Sequence, residues 1–233
     1  MFNIANLITS AQGRTPVMAF FGDSVTRGCF ELGNGYMGTV VDDEAVYHNR
    51  LKNMIAEKHE GADVAIINAG VGGDCAASAL KRMQRDVLDE HPDFCCVCFG
   101  LNDVTLGERG RARYGKSLRQ IFARLEENGI ETVFMTPNMV TTSLSPELKG
   151  VFKAYAKRLA KFQTQGTMDA YMDEARRAAL EYGVPVCDVY ARWKEMEAQG
   201  VDITQQLANR INHPTREMHR LFAEELYRTI FSE

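Results

Sequence analysis

Five short apolar runs, separated by longer amphipathic stretches, constrain this chain more than any other feature. The runs fall at 16–21, 64–69, 94–99, 132–136 and 184–189. Each is apolar at nearly every position and rich in β-branched or aromatic residues. A strand wetted on one face alternates polar and apolar residues. A continuous apolar run instead fits a strand covered on both faces, as in a parallel sheet. Between the runs the spacing is helical. In 44–59, Tyr47, Leu51, Met54 and Ile55 share a face. In 74–90, Leu80, Met83, Val87 and Leu88 do the same, with Asp74 as the expected N-cap. In 113–128, a stripe from Tyr114 to Leu125 is ended by Asn128-Gly129. Strand–helix alternation implies right-handed crossovers and predicts a doubly wound α/β sheet.

The connection from 137 to 183 is unusually long. It holds PNMVTTSLSP and two helical patterns, 146–163 and 168–182. It reads either as a lid or substrate wall, or as extra core or an oligomer contact. A last helix is expected over about 216–231. No repeat, low-complexity tract or linker interrupts residues 1–233, which suits one domain.

Composition narrows the partners. A net charge of -4 gives no general attraction to nucleic acid or anionic membranes. No apolar stretch approaches the ~18 residues of a membrane span. The N-terminal residues lack a basic start and a long apolar core, so they do not read as a secretory signal. Cys95, Cys96 and Cys98 sit in the apolar run FCCVCF, with Cys29, Cys75 and Cys187 elsewhere. Packed free thiols in a cytoplasmic protein account for them, and no Cys/His array calls for zinc. No metal or cofactor is expected.

In an open parallel sheet, ligands bind outside the carboxyl ends of the strands. The first run ends in Gly22-Asp23-Ser24, which is either a turn or a turn carrying a nucleophile. The second runs into Gly70-Val71-Gly72-Gly73-Asp74. This turn lacks the third glycine of a dinucleotide fingerprint, and Asp74 stands where an anion would sit. A second use for it is to aim one backbone N–H at a developing oxyanion. The third ends in Gly100-Leu101-Asn102-Asp103, where Asn102 is either a turn residue or an uncharged amide donor. The fourth ends in Thr136-Pro137-Asn138 and the fifth at Asp188. His213 precedes Pro214, which biases it to extended backbone at a helix start. His48, His59, His91 and His219 read as ordinary surface or helix-face residues. Together, a hydroxyl, a backbone donor, an amide donor and a base make a complete set for acyl transfer.

The set and its order resemble the SGNH subgroup of the GDSL esterases and lipases. The matching blocks are FFGDSVTRG, NAGVGGD, GLND and NHP, within residues 17–214. The resemblance implies Ser24 as nucleophile, Gly73 and Asn102 as oxyanion-hole residues and His213 as general base. It implies a three-layer α/β/α sandwich around a mainly parallel five-stranded sheet, flavodoxin-like and of SGNH hydrolase type. It also implies a serine esterase acting on a small-molecule ester, and because no long apolar surface signals a lipid interface, the expected substrate carries a short acyl chain, with acetyl on a carbohydrate as the favoured case. One departure stands out. The family usually carries an aspartate three or four residues before the histidine, and here Arg210 and Asn209 occupy those positions. The imidazole is then supported by a backbone carbonyl, by Asn209, or through space by Asp202 or Asp188. A non-catalytic carbohydrate-binding or scaffold protein that keeps the fold is the competing reading.

Overall fold

Phe20 and Phe21 point to opposite faces of one strand, and both are fully buried, as a run covered on two sides requires. The computed structural model describes residues 2–10, 14–33 and 38–231. In chain order its strands are β1 (Val17–Gly22), β2 (Cys29–Leu32), β3 (Thr39–Val41), β4 (Ala65–Gly70), β5 (Phe94–Cys98), β6 (Glu131–Met135) and β7 (Val186–Cys187). Five of them form one parallel sheet in the order β4-β1-β5-β6-β7. β2 and β3 form a separate antiparallel pair.

The helices are α1 (Asn3–Thr9), α2 (Ser24–Arg27), α3 (Tyr47–Lys58), α4 (Ala76–Ala79), α5 (Met83–Asp86), α6 (Arg111–Glu127), α7 (Gly150–Thr164), α8 (Thr167–Glu181), α9 (Val189–Ala198) and α10 (Arg216–Phe231). On one sheet face Phe20 meets Tyr47 of α3, ring centroids 5.6 Å apart, and α3 packs on α10. On the other, Phe134 meets Phe122 of α6 at 5.9 Å, and α6 packs on α8 and α4. This is the doubly wound sheet that the alternation predicts, in the three-layer α/β/α sandwich that the resemblance implies. Cys95 and Cys98, three residues apart on β5, lie on opposite faces of the strand. Burial pushes both thiols up.

Several elements differ from the sequence reading. The helix expected over 74–90 is broken into α4, α5 and a 3-10 turn at Leu88–Glu90. Ser78 Oγ accepts from Cys75 N and bonds Cys75 O, local bonding that competes with a continuous helix. Cys75, not Asp74, stands at the N-cap of α4. The Asp74 carboxylate instead takes Cys75 N, Ser78 Oγ and Arg82 Nε. The last apolar run shrinks to two strand residues, because Asp188 accepts from Ala191 N at 3.1 Å and starts α9. The sequence reading also missed α1, α9 and the β2–β3 pair. The long connection is part core and part wall. α8 buries Met168, Tyr171, Met172 and Ala175, whereas α7 leaves Phe152 and Tyr155 only partly covered.

Candidate active site

β1 stops at Gly22 because the chain must fold back at once. A Cβ there would lie 2.0 Å from the Thr26 hydroxyl and 2.9 Å from the Cys98 carbonyl oxygen. On the neighbouring strand a Cβ at Gly70 would meet Arg27 N at 2.3 Å. Both glycines let α2 lie directly on the strand ends. Asp23 caps that helix, its Oδ1 accepting from Val25 N at 2.9 Å. Ser24 becomes the first helical residue and is 7% exposed, with its hydroxyl on the cavity.

His213 arrives from the other end of the chain on a tightly tied loop. Leu207 and Pro214 form an isolated antiparallel bridge, and Ala208 N donates to His213 O at 2.7 Å. Inside the loop, Asn209 Oδ1 accepts from Ile211 N, Asn212 N and His213 N, each at 2.9 Å. The imidazole is then held at both nitrogens. Nδ1 lies 2.9 Å from the Phe30 carbonyl oxygen, and Nε2 lies 3.0 Å from Ser24 Oγ. A carbonyl can only accept, so Nδ1 carries the proton. Nε2 of the neutral ring therefore accepts from the Ser24 hydroxyl. Burial lowers the His213 pKa from its ordinary value, and the bond to Phe30 only partly opposes this. The neutral, proton-accepting form is the favoured one.

The side chains considered as supports for this base go elsewhere. Asp188 takes both Arg176 Nε, at 2.9 Å, and the Thr136 hydroxyl, at 3.0 Å, besides capping α9. Asp202 accepts from Gln205 N and caps the 3-10 turn Ile203–Gln206. Asn209 holds the loop backbone, and its amide donates to Asn212 Oδ1 at 3.0 Å. The ring's partner is the main chain of β2. Any residue at position 30 has that carbonyl, so the sequence carries no side-chain signal for it. The β-branched and apolar residues of Cys29–Leu32 and Thr39–Val41 are the one trace of the hairpin that places it.

Gly73 and Asn102 line the same cavity as Ser24 and His213. Gly73 has φ +76°, and a Cβ there would meet no atom within 4 Å. The turn itself, rather than crowding, selects glycine. Asn102 Nδ2 donates to the Asp74 carbonyl at 2.8 Å and lies 3.4 Å from Asp23 Oδ2. The cavity is about 280 Å³. Leu32 and Thr39 of the hairpin, Phe152 and Tyr155 of α7 and Ile211 of the histidine loop supply its walls. Beneath it, Asp23 and Asp103 are buried carboxyls, each pushed up to about 7 chiefly by burial. His48 and His219, read as ordinary face residues, are fully buried beside Phe20 and Phe30.

Comparison with known proteins identifies the family and the fold. Residues 20–221 match the model of the GDSL-like Lipase/Acylhydrolase family. An uncharacterized lipoprotein, YqeF, of Bacillus subtilis (strain 168) is 28% identical over 205 residues, covering 84% of this chain and 78% of its own. The crystal structure of a lipase/acylhydrolase from Enterococcus faecalis superposes with a TM-score of 0.67 at 25% identity, over 94% of this chain and 96% of that one. An acetylxylan esterase from Geobacillus stearothermophilus superposes with a TM-score of 0.69 at 19% identity, over 94% and 95% of the two chains. Two further structures of that esterase are catalytic mutants, one with a histidine and one with a serine replaced by alanine.

Proposed function

The chain belongs to the GDSL-like Lipase/Acylhydrolase family and is a carboxylic ester hydrolase, and on that premise we propose that it works through Ser24 and His213 on short acyl esters. As Ser24 Oγ attacks the ester carbonyl, His213 Nε2 takes its proton. The carbonyl oxygen becomes an oxyanion. The backbone N–H groups of Ser24 and Gly73 and the Asn102 amide are the donors for it. The longer of the two Asn102 contacts, to Asp23, is the one that yields to the oxyanion. The tetrahedral intermediate then collapses, and the alcohol leaves with the proton from His213. Water, deprotonated by the same ring, releases the acid and restores the Ser24 hydroxyl. The Phe30 carbonyl keeps the ring in the required tautomer throughout.

The observation that carries this reading is the continuous run Ser24 Oγ, His213 Nε2, His213 Nδ1, Phe30 O, with both contacts at hydrogen-bond distance. An acetyl group on a small carbohydrate is the proposed substrate. A cavity of about 280 Å³ with aromatic walls suits a small acyl group and a ring-shaped alcohol. Relatives named as acetylxylan esterases support the same choice.

The test is turnover of nitrophenyl acetate and of acetylated xylo-oligosaccharides by wild type and Ser24→Ala, together with labelling by a fluorophosphonate. Ser24→Ala should lose both turnover and labelling. Full turnover in a pure Ser24→Ala sample would sink the nucleophile assignment. Hydrolysis of nitrophenyl acetate without release of acetate from any sugar ester would confine the reading to simple esters.

A further inference from the structure

Arg82 bonds directly to two of the segments that carry the site. Its side chain is only 12% exposed. Nη2 donates to the Gly22 carbonyl at 3.0 Å, two residues before Ser24. Nη1 donates to the Ala69 carbonyl at 2.8 Å, at the end of the adjacent strand, and to Asp86 at 3.1 Å. Nε donates to the Asp74 carboxylate at 2.6 Å, one residue after Gly73. The Asp74 carbonyl is the oxygen on which the Asn102 amide rests. The guanidinium also lies over the Phe21 ring, 4.8 Å from its centroid. One planar, fork-shaped cation therefore spans the serine turn and the glycine turn, and reaches the Asn102 amide through Asp74.

This arrangement exceeds what a strap across a sheet end requires. The strands are already paired through Gly22 and Gly70, and Val71 N donates to the Gly22 carbonyl at 3.1 Å. What Arg82 adds is a second, side-chain tie between the serine turn and the glycine turn, made through a residue whose carbonyl carries the Asn102 amide. We propose that Arg82 is a positioning residue for the reaction, holding the Ser24 turn and the two oxyanion donors, Gly73 and Asn102, in register. This rests on the roles assigned to those three residues above.

The consequence is specific. Donors aimed at an oxyanion act in the transition state and hardly at all on bound ester. Loosening them should lower kcat and leave KM nearly unchanged. Lysine keeps the charge but presents one point donor, so it cannot bond two carbonyls and a carboxylate in one plane.

The experiment compares wild type, Arg82→Lys, Arg82→Ala, Asp86→Asn and Ser24→Ala with nitrophenyl acetate, with thermal melts on each. Arg82→Lys should lose at least ~10-fold in kcat, on the way to the ~10²–10³ that loss of one whole donor costs, with KM within about threefold. Asp86→Asn weakens the outer bond of Arg82 and an exposed contact of Arg85, leaves the bonds to Gly22, Ala69 and Asp74 in place, and should keep both parameters. Millimolar guanidinium should restore part of the kcat of Arg82→Ala. Wild-type kcat in Arg82→Lys, or a loss seen in KM, would overturn the inference. So would a kcat loss in Asp86→Asn equal to that of Arg82→Lys, because it would mark a general loosening. If Arg82→Ala fails to fold, Arg82→Lys decides alone. The two readings separate cleanly. Activity surviving in Ser24→Ala removes the mechanism, whereas a dead Ser24→Ala beside a fully active Arg82→Lys removes only the positioning role.

Discussion

The Nδ1 of His213 donates to the main-chain carbonyl of Phe30 at 2.9 Å, in the place where the family resemblance leads one to look for a carboxylate. A carbonyl fixes the tautomer and the ring orientation. It supplies a dipole rather than a full charge, so it stabilises the imidazolium less than an aspartate would. Asp188 and Asp202 are committed to Arg176 and to Gln205 N. Asp188→Asn and Asp202→Asn should therefore keep kcat within about twofold of wild type. Asn209→Ala should behave differently. It strips the acceptor from three backbone N–H groups of the histidine loop, and a drop in kcat of ~10-fold or more is expected from misplacing the base. Steady-state kinetics on the three variants checks both statements.

The same relationship sets the pH profile. A carboxylate beside the ring would raise the His213 pKa, whereas here burial lowers it and the carbonyl only partly opposes. The base must be unprotonated to take the Ser24 proton. The acid limb of kcat/KM should therefore have its midpoint below the ordinary histidine value of ~6.5. A midpoint clearly above that value would reveal an anionic partner for the ring.

How far the site could be read beforehand follows from where its chemistry resides. Ser24, Gly73, Asn102 and His213 are recognisable because side-chain type, or the lack of a side chain, is itself the signal, and the structure places all four on one cavity. The sheet was legible for a related reason, since strands covered on both faces cannot alternate. The Phe30 carbonyl was not legible, because every residue has one. Nor was Arg82, which lies within an amphipathic stretch where an arginine ordinarily marks the wet face. In the structure it stands between α4 and α5, with its guanidinium on the Gly22 and Ala69 carbonyls. The β2 strand escaped because it is short, with Glu31 and Leu32 only partly covered.

α7 gives the long connection a functional consequence. Phe152 and Tyr155 stand one turn apart on that helix and both face the cavity. Shortening either opens the wall without touching Ser24 or His213. Phe152→Ala should extend the accepted acyl chain from acetate toward butyrate and hexanoate, with kcat/KM for the longer esters rising ~10-fold, the scale of one to two methylenes in a pocket. If Tyr155 supports a sugar ring, Tyr155→Ala should raise KM for acetylated sugars more than for nitrophenyl acetate. A chain-length series on both variants reads this out. An unchanged chain-length profile in Phe152→Ala would remove α7 from the acyl wall.

Asp103, buried beneath the site, carries a stability cost that depends on pH. Its carboxyl is pushed up to about 7, mainly by burial, with the charges of Asp23 and Asp74 adding to the shift. An unfolded aspartate titrates near its ordinary value of ~3.9. Between these two values the folded protein holds a proton that the unfolded chain has released. Stability therefore falls as pH rises through that window and levels off above about 7. Asp103→Asn has no charge to bury, and its amide oxygen can still accept the Ala76 N–H bond that Asp103 takes at 3.1 Å. The difference between variant and wild type should grow in the variant's favour as pH rises from ~4 to ~8, with the variant's melting temperature gaining ~3 °C or more on wild type across that range. His48 and His219, buried with pKa values near 4 and 3, pull the other way below their ordinary value. They are common to both proteins and cancel in the difference. A difference that stays constant across that range would show that Asp103 ionises in the fold without penalty.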